Sequence, residues 1–215
     1  MASPRALIFA NGLLPDPEQA RRLIRPDDTV YCADGGTQHA LALGLTPSLV
    51  VGDLDSLKPV DLQRLKMAQV PLRPHSPNKD ETDLELALQE ALLQRPAAIL
   101  ILGALGSRLD HTLGNLSLLT RPDLADLDCR LDDGVEEVLF CHGRSAIRGT
   151  TGDLVSLVPW GAPATSVRTG GLRWPLHGET LYPDRTRGIS NEMLSETAEV
   201  QIESGPLLIV HRRQR

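Results

Sequence analysis

A three-layer α/β domain with a mostly parallel sheet, followed by a small all-β sandwich, is the fold this sequence predicts, and three observations predict it. Short, wholly apolar runs alternate with helical stripes through residues 1–134. Strands that are apolar on both faces belong to a parallel sheet covered by helices. The turn residues fall directly after those runs, at Asn11-Gly12, Asp34-Gly35-Gly36, Gly52-Asp53-Leu54-Asp55 and from Gly103 to His111. From Val135 onward short β-like runs are punctuated by Gly and Pro, and no strong helical stripe remains.

In order, Arg5 to Ala10 is a strand stopped by Asn11-Gly12, and Pro17-Glu18-Gln19-Ala20 opens a helix with Pro where its missing N–H costs nothing. Thr29 to Ala33 repeats the scheme and leads to a helix over Gln38 to Leu43. Leu49 to Val51 is the third strand, followed by a helix near Val60 to Ala68. Leu84, Leu88 and Leu92 with Ala87 and Ala91 make an amphipathic stripe, which predicts a helix whose first turn is Asp80, Glu81, Thr82 and Asp83. Ala97 to Leu102 is a fully apolar strand, Asn115 to Leu119 closes another helix, and Cys129 to Gly134 holds a last short strand. The texture shift near Gly134 has no linker and divides the chain into domains 1–134 and 135–215. In the second, Glu137–Cys141, Leu154–Val158, Glu199–Ile202 and Leu207–Val210 read as antiparallel strands of a sandwich or partial barrel.

With 215 residues, 41% hydrophobic and 23% charged, the chain buries a real core and is not disordered. A net charge of −6 and a pI near 5.5 argue against nucleic-acid binding. No apolar run approaches the length of a membrane span and no signal-peptide pattern opens the chain, so no membrane and a cytoplasmic location are expected. Cys32, Cys129 and Cys141 form no Cys-x-x-Cys pair and read as reduced, buried thiols.

The chemistry concentrates at the strand ends, where open parallel sheets bind ligands. If the third strand runs one step past Gly52, Asp53 and Asp55 point to the same side. Two carboxylates so placed repel unless a cation or proton lies between them, and hard oxygen pairs suit magnesium. An Asp-rich turn after a buried strand is the competing reading. A second acidic cluster, Asn78-Lys79-Asp80-Glu81-Thr82-Asp83, precedes the Leu84 stripe. Capping and the helix dipole account for part of its acidity, but Lys79 opposes the dipole unless an anion such as phosphate is present. Neither Gly-x-x-x-x-Gly-Lys-Ser/Thr nor Gly-x-Gly-x-x-Gly occurs. Gly35-Gly36 and Gly103 to Gly106 are either plain turns or places where backbone amides approach a phosphate. Together Asp53, Asp55, Asp80 and Asp83 would hold one or two divalent ions while Arg108 and Lys79 supply fixed positive charge. Phosphoryl transfer needs that combination. His111 is a base, a phosphate donor or a structural hydrogen-bonder, and Arg108 with Asp110 is a ligand-binding pair or a loop ion pair.

In this order, Asp34-Gly35-Gly36, Gly52-Asp53-Leu54-Asp55-Ser56, Lys79-Asp80-Glu81-Thr82-Asp83-Leu84-Glu85, Gly106-Ser107-Arg108-Leu109-Asp110-His111 and Gly114-Asn115 resemble the thiamine pyrophosphokinase (thiamine diphosphokinase) family. The likeness continues into Gly171-Leu172-Arg173-Trp174-Pro175-Leu176 and Gly188-Ile189-Ser190-Asn191-Glu192. The resemblance implies an α/β domain and a β-sandwich, a homodimer with its active site at the subunit interface, and magnesium-dependent transfer of the diphosphoryl group of ATP to the hydroxyl of thiamine, giving thiamine diphosphate and AMP. It implies metal-side and catalytic roles for Asp53, Asp55, Asp80 and Asp83. It places Asp34, Gly35, Lys79, Thr82, Arg108, Asp110 and His111 around the nucleotide, and Ser190, Asn191 and Trp174 at thiamine. Leu54 stands where the family often has Phe, and Glu192-Met193-Leu194 follow the Ser-Asn pair where some members carry an aromatic residue. Two other readings fit the same acids. One is a magnesium phosphatase with Asp53 as the Asp-x-Asp nucleophile; the other is a non-catalytic nucleotide- or thiamine-binding module.

Overall fold

The apolar runs of the first part of the chain become neighbouring strands of one parallel sheet. In the computed structural model, which describes residues 4–214, the chain separates into two units, Met1–Gly134 and Val135–Arg215. The first holds β1 (Ala6–Phe9), α1 (Pro17–Leu23), β2 (Thr29–Ala33), α2 (Thr37–Ala42), β3 (Leu49–Gly52), α3 (Pro59–Met67), β4 (Leu72–Pro74), α4 (Asp83–Leu93), β5 (Ala98–Leu102), α5 (Leu109–Leu118) and β6 (Asp128–Asp132). Their order in the sheet is β6-β5-β1-β2-β3-β4, and every pairing between them is parallel.

Alternation along the strands sorts the core into two layers. Leu7, Phe9, Cys32, Val50, Leu100 and Leu102 share one cluster with Ala20 of α1, Ala40 and Leu41 of α2 and Leu65 of α3. The amphipathic helix α4 packs against β1, β2 and β3 and buries Leu84, Leu88, Ala87 and Ala91. Burying each such Leu is worth about 1.5–3 kcal/mol. The chain leaves β1 toward β2, β3 and β4 on one side and returns to β5 and β6 on the other, so the strand order reverses between β1 and β5.

Two local expectations need correction, and the structure adds one strand. The helix after the second acidic cluster begins at Asp83, not Asp80, because the Thr82 hydroxyl accepts a hydrogen bond from Glu85 N at 3.2 Å and caps it. The third strand ends at Gly52 instead of running one residue further: Gly52 has φ +143° and Leu54 φ +65°. Asp53 and Asp55 therefore do not project as alternate residues of a strand. The edge strand β4, Leu72-Arg73-Pro74, is too short and polar to carry a strand signal.

The second unit holds β7 (Glu136–Cys141), β8 (Arg144–Arg148), β9 (Leu154–Pro159), β10 (Ala164–Gly170), β11 (His177–Leu181), β12 (Asn191–Glu192), β13 (Thr197–Gln201) and β14 (Leu207–Arg212). They form two antiparallel sheets, β12-β9-β14-β7 and β11-β10-β13-β8. Leu139, Val155, Leu157 and Ile209 from the first sheet share a buried core with Ile147, Val167, Leu181 and Val200 from the second.

One residue of β14 is fully buried yet polar. His211 is 0% exposed, its Nε2 2.9 Å from Asp153 Oδ2 and its Nδ1 3.4 Å from Glu137 Oε2. Burial is the largest single influence and opposes the imidazolium, but the hydrogen bonds and charges of Glu137 and Asp153 together outweigh it. His211 therefore titrates above its ordinary 6.5. Burial likewise disfavours the Asp153 carboxylate, while hydrogen bonds from Gln214 N, Thr150 N, His211 and the Thr150 hydroxyl prevail and hold it below its ordinary 3.8. A raised histidine adds stability that is complete below the unfolded pKa and is lost as pH rises through the folded value. A depressed carboxyl adds stability present above its unfolded pKa and lost as pH falls through the folded value. The melting temperature is accordingly expected to fall on the alkaline side of 6.5, and His211→Gln is expected to lower the maximum and flatten that limb. An unchanged alkaline slope in thermal melts of the variant would refute this.

Candidate active site

At the reversal point the loops leaving β1 and β5 are joined edge to edge. Ala10 N donates to Leu102 O at 2.8 Å, Gly12 N to Gly103 O at 2.5 Å and Leu13 N to Leu105 O at 3.0 Å. His39 Nε2 lies 2.9 Å from Gly12 O, and Asn115 Nδ2 donates to Ala104 O at 2.8 Å, tying the joined loops to α2 and α5. Beside them opens a cavity of about 290 Å³. Asn11, Gly12, Gly106, Ser107, Arg108, His111 and Asn115 line it from the loop side, and Asp34, Thr82 and Asp83 from the other. Gly106 and Ser107 are both left-handed, with φ +70° and +64°.

An acidic trio beside the cavity is assembled from two strand ends and a helix start. Asp34 follows β2, Asp53 follows β3 and Asp83 opens α4, and one carboxylate oxygen from each lies within 4.8 Å of the others. Gly52 permits this approach: a Cβ there would stand 2.8 Å from Asp34 Cβ and 3.2 Å from Asp83 Oδ1. Asp34 is only 6% exposed, sits at φ +41°, and leaves its Oδ1 buried without a hydrogen-bond partner. Asp83 Oδ1 is also buried without a well-aligned hydrogen bond but lies 2.9 Å from Lys79 Nζ as an ion pair. Among the described residues, Asp83 alone of the three carboxylates forms an ion pair. Convergent, under-satisfied hard oxygens of this kind fit a magnesium ion better than they fit one another.

The other expected residues fall into distinct places. Asp55 is exposed and its N–H donates to Asp53 Oδ1 at 3.2 Å in a local turn. Asp80 is exposed too, and both lie outside the trio. Gly35 is buried, and a Cβ there would come within 2.7 Å of Asn11 Oδ1. Arg108 and Asp110 form a bidentate ion pair at 3.1 and 2.6 Å, with side chains 68% and 65% exposed. The hydrogen bond from Arg108, foremost, and that from His111 N hold the Asp110 carboxyl below the usual range. His111 is exposed on the cavity's rim. Asn11 and His39 carried no signal beyond turn and helix composition, since their roles arise from contacts distant in sequence, while Asn115 stood out only within the Gly114-Asn115 motif of the resemblance.

In the second unit a hollow of about 200 Å³ is lined by Leu157, Trp174, Arg187, Ile189 and Asn191 among others. Trp174 is 59% exposed, and the Arg173 guanidinium lies 5.6 Å from its ring centroid. Ser190 is exposed at φ +59°, with its N–H on Ser156 Oγ at 3.0 Å. Asn191 is 7% exposed.

With this geometry in place, the likeness to known proteins is extensive. The family model "Thiamin pyrophosphokinase, catalytic domain" matches residues 20–131, and "Thiamin pyrophosphokinase, vitamin B1 binding domain" matches residues 145–207. The thiamine pyrophosphokinase of Bacillus subtilis (strain 168) is 30% identical over 179 residues, covering 82% of this chain and 84% of that protein. A crystal structure of thiamine pyrophosphokinase from Bacillus subtilis matches with a TM-score of 0.87 at 26% identity, over 98% of this chain and 100% of that one. The thiamin pyrophosphokinase of Geobacillus thermodenitrificans matches with a TM-score of 0.82 at 26% identity, over 98% of each chain.

Proposed function

The chain belongs to the thiamine pyrophosphokinase family, and from that premise we propose that it transfers the diphosphoryl group of ATP to thiamine. The hydroxyl oxygen of thiamine bonds to the β-phosphorus and gives up its proton to solvent, the bond from that phosphorus to the α-phosphate oxygen breaks, and AMP leaves. The convergence of Asp34, Asp53 and Asp83, two of which, Asp34 and Asp83, line the reversal-point cavity, carries the proposal.

In this reading Asp34, Asp53 and Asp83 would hold magnesium, with Asp55 and Asp80 of the same two acidic segments as further carboxylates available to it. When bound, the ion offsets charge on the diphosphoryl oxygens. Lys79 orients Asp83 through their ion pair. Arg108, steadied by Asp110, presents its guanidinium to the phosphates from the loop side, where the left-handed Gly106 and Ser107 turn the backbone. Thr82, His111 and the close packing of Gly35 on Asn11 shape the rest of the nucleotide site. Trp174 receives thiamine on its exposed face. Three buried, unpaired cysteines suit the reducing cytoplasm, and no helix among the described residues is long and apolar enough to cross a membrane.

The proposal includes a homodimer, with the second unit of one protomer meeting the cavity of its partner. Helix α5 supports it: none of its residues is buried, and Leu109 and Leu113 are 73% and 46% exposed. An amphipathic helix with no buried residue needs a cover. Sedimentation is expected to show a dimer, and Leu113→Glu to shift it toward monomer. A monomeric wild type would remove this part of the proposal.

The test of the activity is a product assay with magnesium and ATP, with and without thiamine, separating AMP from ADP. AMP formed only with thiamine, in step with thiamine diphosphate, is expected. ADP and phosphate released regardless of thiamine would move the Asp-x-Asp phosphatase into first place.

A further inference from the structure

We infer that Asn191 acts on thiamine through Trp174, as a positioning residue, and does not itself touch the substrate; this rests on the thiamine-binding reading above. Two exchanges with Trp174 occupy its side-chain amide. Asn191 Oδ1 accepts from Trp174 N at 3.0 Å, and Asn191 Nδ2 donates to Trp174 O at 2.7 Å. Oδ1 also accepts from Glu192 N at 2.9 Å, which fills its second lone pair. The amide thus presents one acceptor and one donor to a single residue's backbone, as a neighbouring strand would. At 7% exposure it has little surface left for a ligand.

What it holds is a segment that lacks strand pairing of its own. Between β10 and β11 the chain from Gly171 to Pro175 is irregular. Its near end is fixed by Leu172 against Met193 and by Arg173 N on Glu192 O at 2.9 Å. Its far end is fixed by Leu176 N on the Thr169 hydroxyl at 2.8 Å. Trp174 lies between, and both of its backbone polar groups are bound by the Asn191 side chain. The indole itself is 59% exposed, with Arg173 standing off one face. An exposed aromatic ring is a good stacking surface only if its backbone is rigid, since side-chain and loop ordering subtract from affinity. Asn191 supplies that rigidity.

A double-mutant cycle separates this from direct contact. KM for thiamine, KM for ATP and kcat are measured for the wild type, Trp174→Ala, Asn191→Ala and the double variant, with thermal melts to verify folding. If Asn191→Ala does not fold, Asn191→Asp, which keeps the acceptor for Trp174 N and loses the donor to Trp174 O, takes its place in the cycle. Each single variant is expected to raise KM for thiamine about tenfold while kcat and KM for ATP stay within about threefold. The double variant is expected to lie within about twofold of Trp174→Ala, because without the ring there is nothing left to position. Effects that multiply to about a hundredfold would show Asn191 touching thiamine and would overturn the inference. So would a KM for thiamine unchanged in either single variant. A wild-type enzyme that makes no AMP from thiamine would instead show, before any variant is compared, that the family activity itself is absent.

Discussion

Asp34→Asn is expected to lower kcat by about 10²–10³-fold, the scale on which loss of one preorganised charge-stabilising group acts, while raising the melting temperature of the metal-free protein. Both signs come from the same observation. Asp34 is 6% exposed, with a buried oxygen that has no hydrogen-bond partner, facing Asp53 and Asp83 within 4.8 Å. Without a cation the three carboxylates repel, and replacing one by a neutral amide of equal size relieves that repulsion. With magnesium the same charge is what binds the ion, so the wild type gains stability as RT ln(1 + [Mg]/Kd) and the variant does not. Melting curves with and without magnesium, beside a turnover assay, read all three effects. Turnover within threefold of the wild type would sink the assignment of the trio. So would equal magnesium stabilisation of the two proteins.

Gly12→Ala is expected to destabilise the first unit by about 1–3 kcal/mol and to lower kcat/KM for ATP by about 10²-fold, since a shift near 1 Å in a positioning loop has that effect. A Cβ at Gly12 would stand 2.5 Å from Gly103 O and 2.7 Å from Leu105 O, and both are backbone atoms of the β5 loop. They cannot swing aside as a side chain would. The two loops must separate, carrying Asn11 away from Ser107 and Arg108 across the cavity they line. Gly114→Ala is the control: its Cβ would meet nothing within 4 Å, and Ala in the interior of α5 is expected to add about 0.5–1 kcal/mol. Equal behaviour of the two variants would show that the joined loops do not define the site.

By itself the sequence determined the α/β class, the buried strands β1, β2, β3 and β5, and the places where chemistry gathers. Apolar periodicity and turn residues are local properties, read along the chain without knowing what lies across it. Asp34, Asp53, Asp83, Arg108 and His111 all stand out because parallel strands deliver their turns to one edge. The start of α4 needed the Thr82 hydroxyl's own geometry, and β4 had too few apolar residues to register. What only the tertiary structure decided is which groups meet. The pair two residues apart, Asp53 and Asp55, parts company because Leu54 is left-handed. Three acids from two strand ends and the start of α4 come together instead, because Gly52 leaves the space for them. Likewise Asn191 in a sequence is one polar residue beside Ser190, and only folding shows its amide committed to the Trp174 backbone. Carboxylate repulsion, a missing Cβ and a hydrogen bond's two ends are all relations between residues distant in the chain, and distance in the chain carries no information about them until the sheet is formed.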